Sequence, residues 1–111
     1  MDELYILWTN ADPVTAQEMV FLYGHNALKR GWFEKVTLII WGSTASLAVE
    51  NPEVRTKLKE MMADGVHVSA CRKCAEDLCA AEALEELGVE VIYWGEGLTK
   101  ILKEGKRLLT V

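Results

Sequence analysis

Residues 36–41 read VTLIIW, a run in which apolar side chains follow one another with hardly any polar alternation. A strand with one wet face alternates apolar with polar residues, whereas a strand covered on both faces has no reason to. The run therefore predicts an interior strand of a parallel sheet with helices packed on each side. Before it lie a strand-like LYILWT (4–9) and a helical pattern over 13–29. After it come a helix over 52–63, a strand VHVSA (66–70), a helix over 72–87, a strand VEVIYW (89–94), a short helix over 98–104 and a last strand RLLTV (107–111). Short strands alternating with helices imply right-handed βαβ crossovers. The expectation is an α/β fold with a mostly parallel five-stranded sheet, in one domain spanning residues 1–111.

The punctuation fits. Asp12 before Pro13 and Asn51 before Pro52 each read as an N-cap followed by proline at the first helical position, where its missing N–H costs nothing. Gly31, Gly65 and Gly88 each fall where a helical pattern stops and a left-handed residue would turn the chain. In an open parallel sheet the ligand crevice lies at the carboxyl ends of the strands. That edge would be lined by Trp8, Thr9 and Asn10 after the first strand, Trp41, Gly42, Ser43 and Thr44 after the second, Cys71 after the third, and Trp94, Gly95, Glu96 and Gly97 after the fourth. The tryptophans there read first as caps on the open end of the core or as a subunit interface, and second as ligand contacts. Gly42 and the GEG turn read as sharp turns. Neither pattern is a Walker loop or a GxGxxG, so no nucleotide site is expected.

With 111 residues, half of them apolar, the chain can build a real core, and its net charge of -5 repels nucleic acid and anionic membranes alike. The start, MDELYILWTN, carries neither a signal peptide nor a run long enough to cross a bilayer. A cytoplasmic location is expected, with reduced thiols.

Every cysteine falls within HVSACRKCAEDLC (67–79). Cys71 sits where the third strand ends and a helix begins, a place where backbone N–H groups favour thiolate, the nucleophilic form. Arg72 and Lys73 add to that field, while Glu76 and Asp77 act against it. Cys74, three residues on, shares a helical face with Cys71 and comes within disulfide reach. Cys79 continues the spacing of Ala75 and Ala83 and reads as a small core residue. His67, Cys71, Cys74 and Cys79 nominally offer four metal ligands, but structural zinc joins two ligand pairs from separate turns and this chain has one CxxC pair; no metal and no cofactor is expected. A thioredoxin-type centre has the same strand–CxxC–helix order, yet both prolines are used as helix starts and none remains for a cis-proline loop. His25, near the end of the first helix where an imidazolium suits the helix dipole, and His67, alternating with Val66 and Val68, both read first as structural.

The cysteine directly after GVHVSAC (65–71), the middle stretch IIWGSTASLAVENPEVRTKLKEMMADGVHVSAC, and the C-terminal VEVIYWGEGLTKILKEGKRLLTV together resemble the DsrE/DsrF-like sulfur-relay proteins, over nearly the whole chain. The resemblance implies a three-layer α/β/α sandwich of flavodoxin-like architecture and assembly as homotrimers or hexamers. It also implies a persulfide carried on the cysteine that matches Cys71, with Cys74 and Ala75 completing a CxxCA sequence found in small stand-alone members.

The function expected is that of a sulfur carrier or sulfurtransferase. In that reading Cys71 accepts sulfane sulfur from a donor protein or a small sulfane-sulfur compound and passes it on, Cys74 assists, and Thr9, Asn10, Gly42, Ser43, Thr44, Trp94 and Glu96 line the approach. Two other readings stay open. One is a CxxC dithiol redox switch, and the other is a binding module whose tryptophan rim recognises a small ligand or partner without cysteine chemistry.

Overall fold

In the computed structural model, which describes residues 2–111, five strands form one all-parallel sheet in the order β4-β3-β2-β1-β5. They are β1 (Glu3–Trp8), β2 (Lys35–Ile40), β3 (His67–Cys71), β4 (Glu90–Ile92) and β5 (Arg107–Thr110). VTLIIW is the central strand as read, buried from Val36 through Ile40.

Chain order sets the layers. The steps from β1 to β4 all move the same way across the sheet, and the last connection returns past three strands to place β5 beside β1. Right-handed crossovers put helices on one face while the strands advance and on the other when they reverse. The first face therefore receives α1 (Pro13–Thr15), a π-helical stretch (Ala16–Phe21), α2 (Leu22–Lys29), α3 (Thr44–Glu50), α4 (Pro52–Ala63), α5 (Arg72–Asp77) and α6 (Ala81–Leu87), and the second face only α7 (Gly95–Lys103). Two cores follow from this split. The main one packs Leu4, Ile6, Trp8, Leu38, Ile40, Val68, Ala70 and Val91 beneath the many helices. The smaller one holds Ile39, Trp94 and Ile101, with Tyr5, Leu7, Trp41 and Leu108 only partly covered. The three-layer α/β/α sandwich is thus present, with its layers unequal.

Both prolines start helices as expected. Asp12 accepts from the Thr15 amide, and Asn51 from the amides of Glu53 and Val54. Gly31, Gly65 and Gly88 all take positive φ (72°, 104° and 103°).

One local reading is refined and two need correction. The 13–29 helix is one continuous rod whose middle is wound as π. TASLAVE forms α3, which the sequence reading passed over because it ends at Asn51, the residue that caps α4. Finally, the 72–87 helix is two helices. The amide of Ala80 bonds to the carbonyl of Ala75 (2.7 Å), that of Cys79 to Glu76 (3.1 Å), and Cys79 stands at φ 56°. This is a Schellman-type stop with cysteine in the place glycine usually takes. The break turns Cys79 out to solvent, so it is not a core residue; Ala80 fills the core position instead.

His25 has a structural place. It is buried, with Nε2 2.6 Å from Asp64 Oδ2 and Nδ1 2.9 Å from Lys57 Nζ. The histidine ties α2 to α4.

Candidate functional site

The carboxyl edge of the sheet opens into a cavity of about 700 Å³ walled by Trp41, Tyr93 and Trp94, with Cys71 and Cys74 in its lining and Lys73, Gly95 and Glu96 at its margin. Each wall follows from chain geometry. β3 ends at Cys71, which is the N-cap of α5 with extended backbone (φ -65°, ψ 117°) and is buried, so its sulfur lies at the base of the edge. One helical turn later Cys74 is partly exposed, and its thiol is within hydrogen-bonding reach of Cys71. Gly42, at φ 72°, turns the chain out of β2 and brings its backbone toward Cys74. Burial, then the hydrogen bond to Cys71, push the Cys74 thiol above its usual range; the Gly42 amide pulls the other way without reversing the direction.

Trp94 forms the far wall. Its indole N–H donates to Ser69 Oγ at 2.8 Å, and Ser69 donates in turn to Glu90 Oε1 at 2.8 Å. The ring rests on Gly97, where a Cβ would stand 2.8 Å from Cε3 and 2.9 Å from Cζ3. The second glycine of the GEG stretch is therefore required by close approach and is not a sharp turn: neither Gly95 nor Gly97 has positive φ.

The basic residues beside the cysteines are engaged elsewhere. Arg72 donates to the Val91 carbonyl at 2.6 Å and lies 4.0 Å from Glu85, while Lys73 pairs with Asp77 at 2.5 Å. The pull of Asp77 raises Lys73 above its usual range. His67 is exposed at the far end of β3, 3.2 Å from Glu90, and Cys79 faces solvent. The four nominal metal ligands are thus dispersed, and no group of three His, Cys, Asp or Glu among the described residues is placed to hold an ion.

Of the edge residues and thiols named from sequence, the fold brings together Trp41, Cys71, Cys74, Trp94, Gly95 and Glu96, with Gly42 outside the lining. Thr9, Asn10, Ser43 and Thr44 do not line the cavity. Thr9 donates to the Val111 carbonyl, and Asn10 Oδ1 accepts from the Asp12 amide. Ser43 is exposed. Thr44 is fully buried, accepting from the Trp41 amide at 3.1 Å and lying 2.9 Å from the Trp8 carbonyl, so its hydroxyl clips the ends of β1 and β2 together. Trp8 is likewise no rim residue: it packs edge-on against Phe21 with no exposed surface. Tyr93 escaped the sequence reading because it was placed inside a strand. β4 stops at Ile92, and Tyr93 swings over α5, where its hydroxyl donates to Glu76 at 3.2 Å.

A solved structure of a conserved protein of unknown function from Bacteroides thetaiotaomicron, BT1422, is 34% identical to this chain, superposes with a TM-score of 0.97 and is matched over 99% of this chain and 95% of its own. The chain belongs to the family of BT1422. The ychN protein from E. coli is 13% identical over the whole of both chains with a TM-score of 0.78, which is a likeness of fold alone. It supports for this chain the DsrE-like fold that the sequence resemblance implied. No protein-family model and no curated protein matches the chain.

Proposed function

We propose that the protein is a sulfur carrier in which Cys71 accepts sulfane sulfur and Cys74 serves it. The observation that carries this reading is the pairing of the two thiols at the base of an aromatic-walled cavity on the carboxyl edge of a DsrE-like sheet. In the transfer, the Cys71 thiolate attacks the outer sulfur of a donor persulfide R–S–SH. The S–S bond breaks, R–S⁻ leaves and takes up the proton lost by Cys71, and no net oxidation occurs. Cys74, holding its proton, is placed to donate to the sulfur that carries charge at each stage. Delivery to an acceptor thiol is the same step reversed. The proposal carries a sulfur donor and an acceptor as partners, and self-association over the half-covered second face of the sheet, where Tyr5, Leu7, Trp41 and Leu108 remain partly exposed.

The contact between Cys71 and Cys74 also favours a second reading, a dithiol switch that closes a reversible disulfide. Intact-mass spectrometry after incubation with a sulfane-sulfur donor separates the two. A dithiothreitol-sensitive gain of about 32 Da, abolished by Cys71→Ser and retained by Cys74→Ser and Cys79→Ser, is expected for the carrier. A loss of two hydrogens requiring both Cys71 and Cys74 would replace the carrier with the switch, and no adduct in any form would refute it.

A further inference from the structure

The charges around the cavity name the kind of molecule it takes. Lys73 is the one cation in the lining, and its ammonium is already held by Asp77 at 2.5 Å. Glu96, also in the lining, has no hydrogen-bond or ion-pair partner among the described residues. Glu76 stands behind the Tyr93 hydroxyl. With Lys73 paired to Asp77, the carboxylate of Glu96 is the one charge left open in the lining and that of Glu76 lies behind it, on a chain whose net charge is -5. The guanidinium of Arg72, next to Cys71 in the chain, is spent on the Val91 carbonyl. An anionic ligand would find no unpaired cationic side chain in the lining. An ammonium, by contrast, would find the open carboxylate of Glu96 and the faces of Trp41, Tyr93 and Trp94, and aromatic rings attract cations within about 6 Å of their centres. A cavity of about 700 Å³ lies within the range that holds a small organic molecule.

We infer that the low-molecular-weight partner of this site is a cationic thiol species, an amine-bearing persulfide or disulfide, and that Glu96 selects it. The inference rests on the sulfur-carrier reading for its biological sense, but its chemistry needs only a reachable thiol. For a disulfide, the cysteine thiolate attacks one sulfur of R–S–S–R, forming the mixed disulfide and releasing R–S⁻, which takes up the proton.

The test compares second-order rates of exchange at Cys71 and Cys74 with three symmetrical disulfides. These are cystamine (two ammonium groups), 2-hydroxyethyl disulfide (neutral) and 3,3′-dithiodipropionate (two carboxylates), each divided by its rate with a small free thiol. At low salt the normalised cystamine rate should exceed that of the dicarboxylate by about tenfold or more, as charged clefts raise encounter rates by that order. The ratio should shrink toward one as salt shortens the screening length from about 30 Å at 0.01 M to about 3 Å at 1 M. Glu96→Gln should lower it and Glu96→Lys should invert it; Glu96 is exposed, so neither change threatens folding. A ratio near or below one, a ratio insensitive to salt and to both variants, or no reaction with any of the three would overturn the inference. Its failure is distinct from that of the carrier: a sulfane adduct on Cys71 without charge preference keeps the carrier and removes the cationic partner. Charge-selective exchange without a sulfane adduct does the opposite.

Discussion

Replacing Gly97 with alanine tests how the cavity wall is built. Helix propensity alone predicts a gain, since alanine is favoured over glycine inside a helix by about 1 kcal/mol. Packing predicts the reverse. The new Cβ would stand 2.8 and 2.9 Å from two carbons of the Trp94 ring, whereas carbons prefer about 3.5–4.0 Å. The ring cannot step aside cheaply, being 8% exposed and held by its 2.8 Å bond to Ser69. Overpacking of this kind costs about 1–3 kcal/mol, and losing the indole–serine bond adds about 1 kcal/mol. Against the propensity gain, Gly97→Ala should be destabilised by about 1–3 kcal/mol. Gly95→Ala is the matched control: nothing lies within 4 Å of its Cβ, so it should be neutral or more stable by up to about 1 kcal/mol. Urea unfolding followed by tryptophan fluorescence measures both. A Gly97→Ala midpoint equal to or above wild type would show that Trp94 does not stand on this helix, and the described wall would be wrong.

Three further outcomes are expected. Cys79→Gly should stabilise the protein by about 1 kcal/mol, because Cys79 holds a left-handed conformation (φ 56°) that costs an L-residue about that much and glycine little; thermal unfolding reads this, and a loss of stability would deny the stop between α5 and α6. Tyr5 donates to Glu3 at 2.9 Å, and burial, followed by that bond and the charge of Glu3, pushes it up to about 12. The folded state thus holds a proton that the unfolded chain has lost above the ordinary tyrosine value of 10.0, so this contribution to stability is full below that value and falls away as pH rises toward 12. Ultraviolet titration should show one late phenol that moves down in Glu3→Gln. His25→Phe should cost about 1 kcal/mol or more by unpairing Lys57 and Asp64 from the imidazole between α2 and α4, and an unchanged urea midpoint would show the network to be idle.

Much of the fold was legible because its causes are local. VTLIIW, the two Asx-Pro starts and the helix-ending glycines at 31, 65 and 88 each state a backbone preference within a few residues. Where the reading failed, the deciding partner was distant or the usual residue was missing. The stop after α5 had cysteine where glycine would have announced it, and α3 was hidden by sharing Asn51 with α4. Thr44 read as a rim hydroxyl until the end of β1 came to lie beside it, with the Trp8 carbonyl 2.9 Å from its Oγ1.

The candidate site divides in the same way. Sequence by itself determined that Cys71 would follow a buried strand and open a helix, and that Cys74 would share its face, because strand alternation and helical spacing are properties of neighbouring residues. Only the tertiary structure decided which of the edge residues would share a cavity with those thiols, admitting Trp94 and Glu96 and leaving out Thr9, Asn10 and Ser43. It also decided that Arg72 and Lys73 would be drawn away to Val91 and Asp77. Those outcomes depend on where the crossover from β4 to β5 passes over the sheet, and on which carboxylates and carbonyls then lie within reach of a long side chain. No spacing along the chain encodes either.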